Sequence, residues 1–479
     1  MDISKTVQTL LQEAKNLQLL SKYEDSMLIF EKVNLLLDKT QQVELWFYCQ
    51  GQTVVNIAQL GKYVEGQTLI TSLLNNALDS LGDNHLETAR LYHTLSAIEH
   101  SLGNFQEALT YGHQALAIRL AQLPEIHIDV FTSYNALART YLYTQYHKKA
   151  YEYLQKLLSI ESKIDDPYPK ARLYVTLGNY FYGIDNLKAQ TNYTKALQIA
   201  QKELPPSNSI FSLIYLNLGA SHELMGNHSK ALDYSLQALQ LKLNNQVEKS
   251  AIIAILFMNI SRLWMHKQDH TKAAEYYVKA KDIYETIYLT ENTHLAKFYN
   301  FTGFYYKKTD PQKALKAFAY SMNIWEREAK KGNGWSQNIN STLNNIGDLY
   351  LETKDYPQAK NAYQKALNLT REIIQQEHGI PLKLISTYNK LSHLFLIQQQ
   401  YTVALEHNKK AIELNQQIIE NNNIVFEPLS LLASFNTKIK LLLQYFHQNK
   451  TLSLLEESYK ISKECEQIIN KHRNFYQDY

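Results

Sequence analysis

Apolar and polar positions follow a helical period along most of the chain, and small residues recur at one place in that pattern. The segment DYPQAKNAYQKALNLTREI, residues 355–373, places Ala359, Tyr363 and Ala366 on one stripe. Residues three or four positions apart share one face of an α-helix. A small residue on that face lets a second helix approach closely, while the aromatic ring fills the space beside it. The pattern therefore predicts pairs of closely packed helices.

The small residue that begins each stripe returns about every 42 residues. Its occurrences are Ser26, Gly66, Ala108, Ala150, Ala189, Ala231, Ala273, Ala314, Ala359 and Ala404. A second motif precedes many of them: a large apolar residue, then a small residue and, three positions later, an aromatic residue or one of similar shape. Ile346-Gly347 with Tyr350 is one example. Each unit therefore contains two helices, and such self-similarity indicates an array of helical repeats.

These motifs resemble the tetratricopeptide repeat (TPR), whose pattern runs Leu-Gly-x-x-Tyr, then Ala-x-x-x-Phe, then a further Ala on the second helix. The best matching segments are 343–367 and 216–239, and the resemblance extends over about residues 10–420. The units are longer than the common TPR unit of roughly 34 residues. One linker, with Leu81-Gly82 followed by His85, is similar to that of kinesin-light-chain repeats, although Leu86 replaces the proline often found there.

The resemblance implies an all-α fold, a right-handed α-solenoid of about ten TPR-like helical hairpins with a C-terminal helical cap. We expect the solenoid to cover residues 1–428, with degenerate units at its N-terminal end. Residues 429–479 lack the stripe of small residues, and terminal repeats of solenoids are atypical because one face meets water. This segment is therefore predicted to form the capping helices. In the segment 328–338, Gly332 and Gly334 predict a loop.

Composition and charge exclude several classes of protein. The chain has 15 glycines and 9 prolines in 479 residues, below the usual shares of about 7% and 5%, which argues against an all-β fold. Its formal charge of +3 provides no overall basic field of the kind that nucleic-acid binding usually displays, although local basic patches are compatible with it. Cys49 and Cys465 are too few for a disulfide framework. With no signal peptide and no membrane span in the pattern, we expect a cytoplasmic protein.

The sequence contains no recognisable catalytic motif. His93 and His100 lie seven residues apart on one predicted helix, too far for one metal ion without a third ligand, and neither HExxH nor CxxC is present. No nucleophile elbow or phosphate-binding loop is found. We therefore expect a protein without enzymatic activity, metal or cofactor.

The first helices of stacked hairpins line the concave side of a solenoid, where peptides bind. Counting from the Leu-Gly motif places a mostly positive set of residues there: Arg90, His93, Asn135, Arg139, Arg172, Asn179, Arg262, Lys297, Asn300, Asn344 and Asn389. In arrays similar to kinesin light chain, an asparagine before the Leu-Gly pair often contacts the peptide backbone. The resemblance extends that role to Asn217, Asn259 and Asn345. The alternative is that these asparagines only bond neighbouring helices.

Several functions agree with this sequence. The resemblance implies a protein-interaction module that holds a peptide or protein segment in its groove, and the positive groove residues favour an acidic peptide. Similarity to the TPR half of bacterial TPR-CHAT proteins would make it the sensor or regulatory half of a signalling or protease assembly. One alternative is a scaffold that forms homo-oligomers through its terminal helices. A minor alternative is RNA binding by the basic groove residues. The sequence leaves the oligomeric state open.

Overall fold

A computed structural model describes most of the chain, and every regular element in the described part is helical. The described residues are 3–39, 41–144, 146–245, 250–287, 293–330, 336–377, 382–422 and 428–471. They form 22 α-helices and one short 3₁₀ helix, with no strand among them. The prediction of an all-α fold is confirmed.

The helices follow one another with short connections. In chain order they are α1 (Ile3–Leu19), α2 (Tyr23–Leu36), α3 (Val43–Gln59), α4 (Tyr63–Leu81), α5 (Leu86–Leu102), α6 (Phe105–Gln122), α7 (Ile128–Tyr143), α8 (His147–Ile160), α9 (Pro167–Phe181), α10 (Asn186–Glu203), α11 (Ile210–Leu224), α12 (His228–Asn244), α13 (Ala251–His266), α14 (His270–Ile287), α15 (Thr293–Tyr306), α16 (Pro311–Lys330), α17 (Ser336–Glu352), α18 (Tyr356–Glu377), α19 (Leu382–Ile397), α20 (Tyr401–Asn422), α21 (Pro428–Asn449) and α22 (Leu452–Lys471).

The chain divides into two compact units. Unit 1 comprises Met1–Tyr182 and Ala189–Leu295, and unit 2 comprises Gly183–Lys188 and Ala296–Tyr479. Within each unit, odd-numbered helices pack against the even-numbered helices that follow them, and successive hairpins pack in series. This arrangement is that of an α-solenoid, as predicted.

The predicted repeat register is confirmed at every one of its ten landmarks. The small residue of each unit is the fourth residue of an even-numbered helix, from Ser26 in α2 to Ala404 in α20. All ten are buried. The small side chain at this place allows the first helix of the same hairpin to approach closely.

Where the first helix carries glycine, an aromatic ring of the second helix occupies the space of the missing side chain. A Cβ atom added to Gly347 would overlap the ring of Tyr363, whose side chain is fully buried. Two further hairpins have the same arrangement, in the pairs Gly178 with Tyr193 and Gly303 with Phe318. Glycine is therefore required here by close approach between the two helices.

Where the first helix carries serine at this place, a hydrogen bond holds the hairpin. The Oγ of Ser392 donates to the main-chain carbonyl of Ala404 at 2.8 Å. The same bond joins Ser96 to Ala108 at 2.6 Å and Ser261 to Ala273 at 2.7 Å. The carbonyl acceptor belongs to the small residue of the second helix. This hydrogen bond therefore also requires the two helices of the hairpin to approach closely.

The last two helices pack as a pair against α20. Their apolar core contains Leu431, Phe435, Leu442, Ile461 and Cys465, together with Ile412 of α20. Small residues of these helices are also buried, and Ser434 of α21 accepts hydrogen bonds from Asn408 and Asn415 of α20. That residues 429–479 form a cap remains a prediction. The described part of this segment ends at residue 471.

Three further expectations concern chemistry and location. Cys49 and Cys465 are free and buried. In the part of the chain that the structure describes, no cluster of His, Cys, Asp and Glu could hold a metal ion. No described helix is sufficiently long and apolar to cross a membrane. Of the predicted loop at 328–338, residues 328–330 end α16 and residues 336–338 begin α17, so the predicted bounds were too wide, and residues 331–335 lie outside the described residues.

Candidate functional site

Unit 1 contains a cavity of about 440 Å³, within the size range of roughly 300–1,000 Å³ that is usual for ligand pockets. Six odd-numbered helices, α3, α5, α7, α9, α11 and α13, contribute to its wall. These are the first helices of their hairpins. The cavity therefore lies on the face that sequence analysis assigned to the groove.

Unit 1 also contacts itself across a long stretch of chain beside this cavity. The side-chain amide of Asn208 donates to the carbonyl of Leu19 at 2.8 Å, between residues 189 positions apart. The main-chain N–H of Ser209 donates to Oγ of Ser21 at 2.9 Å. Ser209 itself lines the cavity. Helices α2 to α10 lie between the two bonded segments, so this part of the solenoid turns back and meets its own first hairpin.

A second contact of this kind joins the turn between α5 and α6 to the start of α15. A Cβ atom added to Gly103 would lie 2.5 Å from Oγ1 of Thr293 and 3.3 Å from the ring of His294. Gly103 has a φ of +87° in the left-handed region and ends α5. We call the contacts of Leu19 and Ser21 with residues 208–209, and of Gly103 with residues 293–294, the seam of unit 1.

Three cationic side chains of unit 1 line the cavity: Arg139 of α7, Arg172 of α9 and Lys242 of α12. Burial, together with the charge of Arg172, lowers the pKa of Arg139 to about 10. Burial, together with Arg172, lowers the pKa of Lys242 to about 8. Lys242 is only 5% exposed. These charges are close enough to disfavour one another, so the grouping of the three cations is electrostatically unfavourable by itself.

The protein supplies little negative charge to this cluster. In the described residues, no carboxylate lies within ion-pair distance of Arg139, Arg172 or Lys242. Asp166 also lines the cavity. Its Oδ1 accepts from the main-chain N–H of Tyr168 at 2.9 Å and caps α9. The cavity therefore has an excess of positive charge.

Neutral polar groups complete this part of the wall. The pKa of His93 lies well below its usual value because of burial and because several arginines surround it, so its ring is uncharged at neutral pH. The hydroxyl of Thr176 donates to Oδ1 of Asn135 at 2.7 Å. The side-chain N–H₂ of Asn135 remains a donor for a ligand. Arg172 donates weakly to the hydroxyl of Tyr168 at 3.4 Å.

Four of the predicted groove residues meet at the cavity, and they are His93, Asn135, Arg139 and Arg172. The prediction missed Lys242. This lysine lies in the last turn of a second helix, whereas the register was counted along first helices. Nothing in the sequence around Lys242 distinguishes it from the lysines of the exposed surface.

Other predicted residues of unit 1 contact the protein itself. Arg90 forms an ion pair with Glu87 at 3.2 Å and stacks on the ring of Tyr48. Asn179 accepts a hydrogen bond from the hydroxyl of Tyr193 at 2.8 Å. Asn217 donates to the carbonyl of Leu213, within its own helix. The wall of the cavity does not include Arg90, Asn179 or Asn217.

Arg262 differs from the other two groove arginines because its charge is already neutralised. Its Nε and Nη2 donate to the two carboxylate oxygens of Glu223 at 2.5 and 2.7 Å. Its Nη2 also donates to Oδ1 of Asn259 at 3.0 Å. Bidentate pairs of this kind are strong and specific. Neither Arg262 nor Asn259 lines the cavity.

The remaining predicted residues belong to unit 2. Asn345 donates to Oδ1 of Asn300 on the preceding first helix at 3.1 Å, and Asn344 donates to the hydroxyl of Thr387 at 3.0 Å. These bonds support the alternative in which asparagines join neighbouring helices. Burial lowers the pKa of Lys297 to about 8.

Unit 2 has a cavity of its own, of about 430 Å³, with Asn389 in its wall. The charges in that wall are balanced, since Lys390 contacts the carboxylate of Asp348 at 2.6 Å. Asn389 donates to the hydroxyl of Ser434 at 2.9 Å. Unit 1 therefore offers the stronger candidate for a charged ligand.

The chain matches family models of the tetratricopeptide repeat. One matches residues 55–121 and 338–417, and a second matches residues 131–164. No curated protein has a significant match to this sequence.

Solved structures with similar folds include two Rap proteins and IFIT1. A Rap protein complexed with competence and sporulation factor is 15% identical over 78% of this chain and 99% of that chain, with a TM-score of 0.58. The Rap conjugation gene regulator of plasmid pLS20 in complex with the Phr* peptide is 17% identical over 78% and 96%, with a TM-score of 0.50. A monomeric mutant of IFIT1 with m7Gppp-AAAA is 14% identical over 96% and 94%, also with a TM-score of 0.50. At these identities the likeness shows a common fold.

Proposed function

Since the chain is a tetratricopeptide-repeat protein, we propose that it is a non-enzymatic interaction module whose unit 1 cavity binds an acidic segment of a partner protein. The observation that carries this proposal is the group of Arg139, Arg172 and Lys242 around one cavity without a carboxylate partner among the described residues. A ligand carboxylate would form charge-assisted hydrogen bonds with these side chains.

The energetic reason is the cost of leaving charge buried without a partner. A buried, unpaired ionic group destabilises a protein by several kcal/mol in rough terms, and Lys242 is almost completely buried. An anionic ligand removes much of this penalty when it binds. The unpaired cations of the cavity therefore contribute to affinity for an anion. Lys279 and Glu275 contribute little, because they are exposed and already paired with each other.

Apolar residues form the other part of the wall. Ile98 of α5 and Ile210 and Leu213 of α11 line the cavity. Most binding energy in protein interfaces comes from a few buried anchors surrounded by weaker contacts. We therefore propose a segment that combines acidic residues with at least one apolar side chain. Two similar solved structures hold a peptide or a factor, which supports a peptide ligand on this fold.

The first test is capture of partner proteins from the native cell. We expect the double variant R139Q/R172Q to retain at most one tenth of the partner bound by the unchanged chain, measured by affinity purification and quantitative mass spectrometry. Lys279→Gln is the matched control, because it also removes positive charge from unit 1 but lies on an exposed face. A folded double variant that keeps the same partners at the same level would refute the proposal.

A second candidate function is self-association through α22. Leu452 and Tyr459 are seven residues apart on this helix and are 70% and 67% exposed, so the last helix carries an apolar stripe on its outer face. We expect the unchanged chain to dimerise at micromolar concentration and L452E/Y459E to be monomeric in sedimentation experiments. An unchanged chain that stays monomeric at high concentration would exclude this function.

A further inference from the structure

The three charged groups of the cluster are hydrogen-bond donors, and the carboxylate of the described wall, Asp166, already accepts a bond at the start of α9. Arg139, Arg172 and Lys242 can only donate, and Asn135 has its amide oxygen already bonded. Hydroxyl groups such as that of Tyr168 can donate or accept. A peptide backbone offers donors and acceptors in equal number, and its N–H groups find no acceptor among the three cations. The wall instead suits a compact group with several acceptor oxygens.

Charge also distinguishes among anions. Two arginines and a lysine approach one cavity of about 440 Å³, which limits how many acidic side chains can enter together. A carboxylate supplies one negative charge and two oxygens. A phosphate monoester supplies a charge of about −1.5 to −2 and three acceptor oxygens. One phosphate therefore matches the cluster more closely than one Asp or Glu side chain does.

We propose that the cluster of Arg139, Arg172 and Lys242 binds a phosphate monoester, carried by a phosphoserine or phosphothreonine of the partner segment. This inference rests on the proposed function, because it specifies which anionic group of the segment enters the unit 1 cavity. Binding would then depend on phosphorylation of the partner. The apolar wall would contact residues that flank the phosphorylated one.

The direct test compares two peptides that differ at one residue. The probes are capped pentapeptides with phosphoserine or glutamate between two leucines, titrated calorimetrically into the full chain at pH 7. We expect the phosphoserine peptide to bind at least tenfold more tightly than the glutamate peptide. Arg172→Gln and Lys242→Gln should each weaken phosphopeptide binding at least tenfold, whereas Lys279→Gln should leave it unchanged.

The pH dependence supplies a readout specific to Lys242. Its pKa of about 8 in the free protein means that much of its charge is lost between pH 7 and pH 9. Over this range Arg139 keeps its proton, since its pKa is about 10, while His93 stays neutral and a phosphate ester stays dianionic. Asp166 is the acidic side chain of the described wall. Affinity should therefore fall several-fold with rising pH in the unchanged chain and should be nearly constant in Lys242→Gln.

Three other results of these experiments would each contradict a specific part of the proposal. Equal affinity for the two peptides would overturn the phosphate inference while leaving an acidic segment as the ligand. Tighter binding of a short 5′-phosphorylated oligoribonucleotide would replace the phosphopeptide by nucleic acid. Failure of both peptides to bind, with partner capture unchanged in R139Q/R172Q, would remove the proposed function as well.

Discussion

Replacing Gly347 by leucine is expected to destabilise unit 2 by roughly 1–3 kcal/mol, the usual cost of forcing extra volume into a packed core. Gly347 faces the ring of Tyr363, and even a single added Cβ would overlap that ring. The ring cannot move away freely, because it is fully buried and its hydroxyl donates to Asp348 at 2.7 Å. Chemical denaturation monitored by circular dichroism would measure the loss.

Alanine substitutions provide a sharper control for the same argument. In a helix interior, alanine is favoured over glycine by about 0.5–1 kcal/mol. At Gly66 a new Cβ would first meet Cδ1 of Ile98 at 3.3 Å, the far end of a flexible side chain. We expect Gly66→Ala to be neutral or stabilising and Gly347→Ala to be destabilising. If Gly347→Ala stabilised the chain instead, the close approach of α17 and α18 would be wrong.

The fold was predictable because its main determinant is local and periodic. A small residue on one helix and a matching small or polar residue on the preceding helix coincide in hairpin after hairpin, as at Gly347 with Ala359 and Ser392 with Ala404. This coincidence produces a regular pattern in the sequence. The last two helices do not show this pattern, since Leu442 and Ile461 pack in an ordinary apolar cluster. Their pairing could be inferred only from helical periodicity.

The candidate site was predictable only in part. The repeat register identifies the face of each first helix, which is why Arg139 and Arg172 were found together. It does not show which charges are neutralised: Arg262 is paired with Glu223 of the neighbouring hairpin, and no period of the sequence reveals that pair. Nor does it show how tightly the solenoid curves. The small rotation of each repeat decides which distant segments meet, and therefore that Lys242 reaches the cavity.

The second large effect that we expect is the destabilisation caused by a substitution at Gly103, which lies in the seam of unit 1. Gly103 and Gly226 occupy equivalent turns between paired helices, with φ angles of +87° and +80°. A left-handed conformation costs an alanine about 1–2 kcal/mol, and both substitutions should incur that cost. Only at Gly103 would the new methyl group also overlap Thr293, because nothing lies within 4 Å of the corresponding position at Gly226.

We therefore expect Gly103→Ala to destabilise unit 1 by about 1 kcal/mol or more beyond Gly226→Ala, from the added overlap with neighbouring atoms. Thermal and denaturant unfolding of the two variants measure the difference. Adding Thr293→Ala should relieve part of the excess in the Gly103→Ala background and none in the Gly226→Ala background, as expected for residues in direct contact. Equal destabilisation by the two glycine variants would mean that the seam does not form in solution.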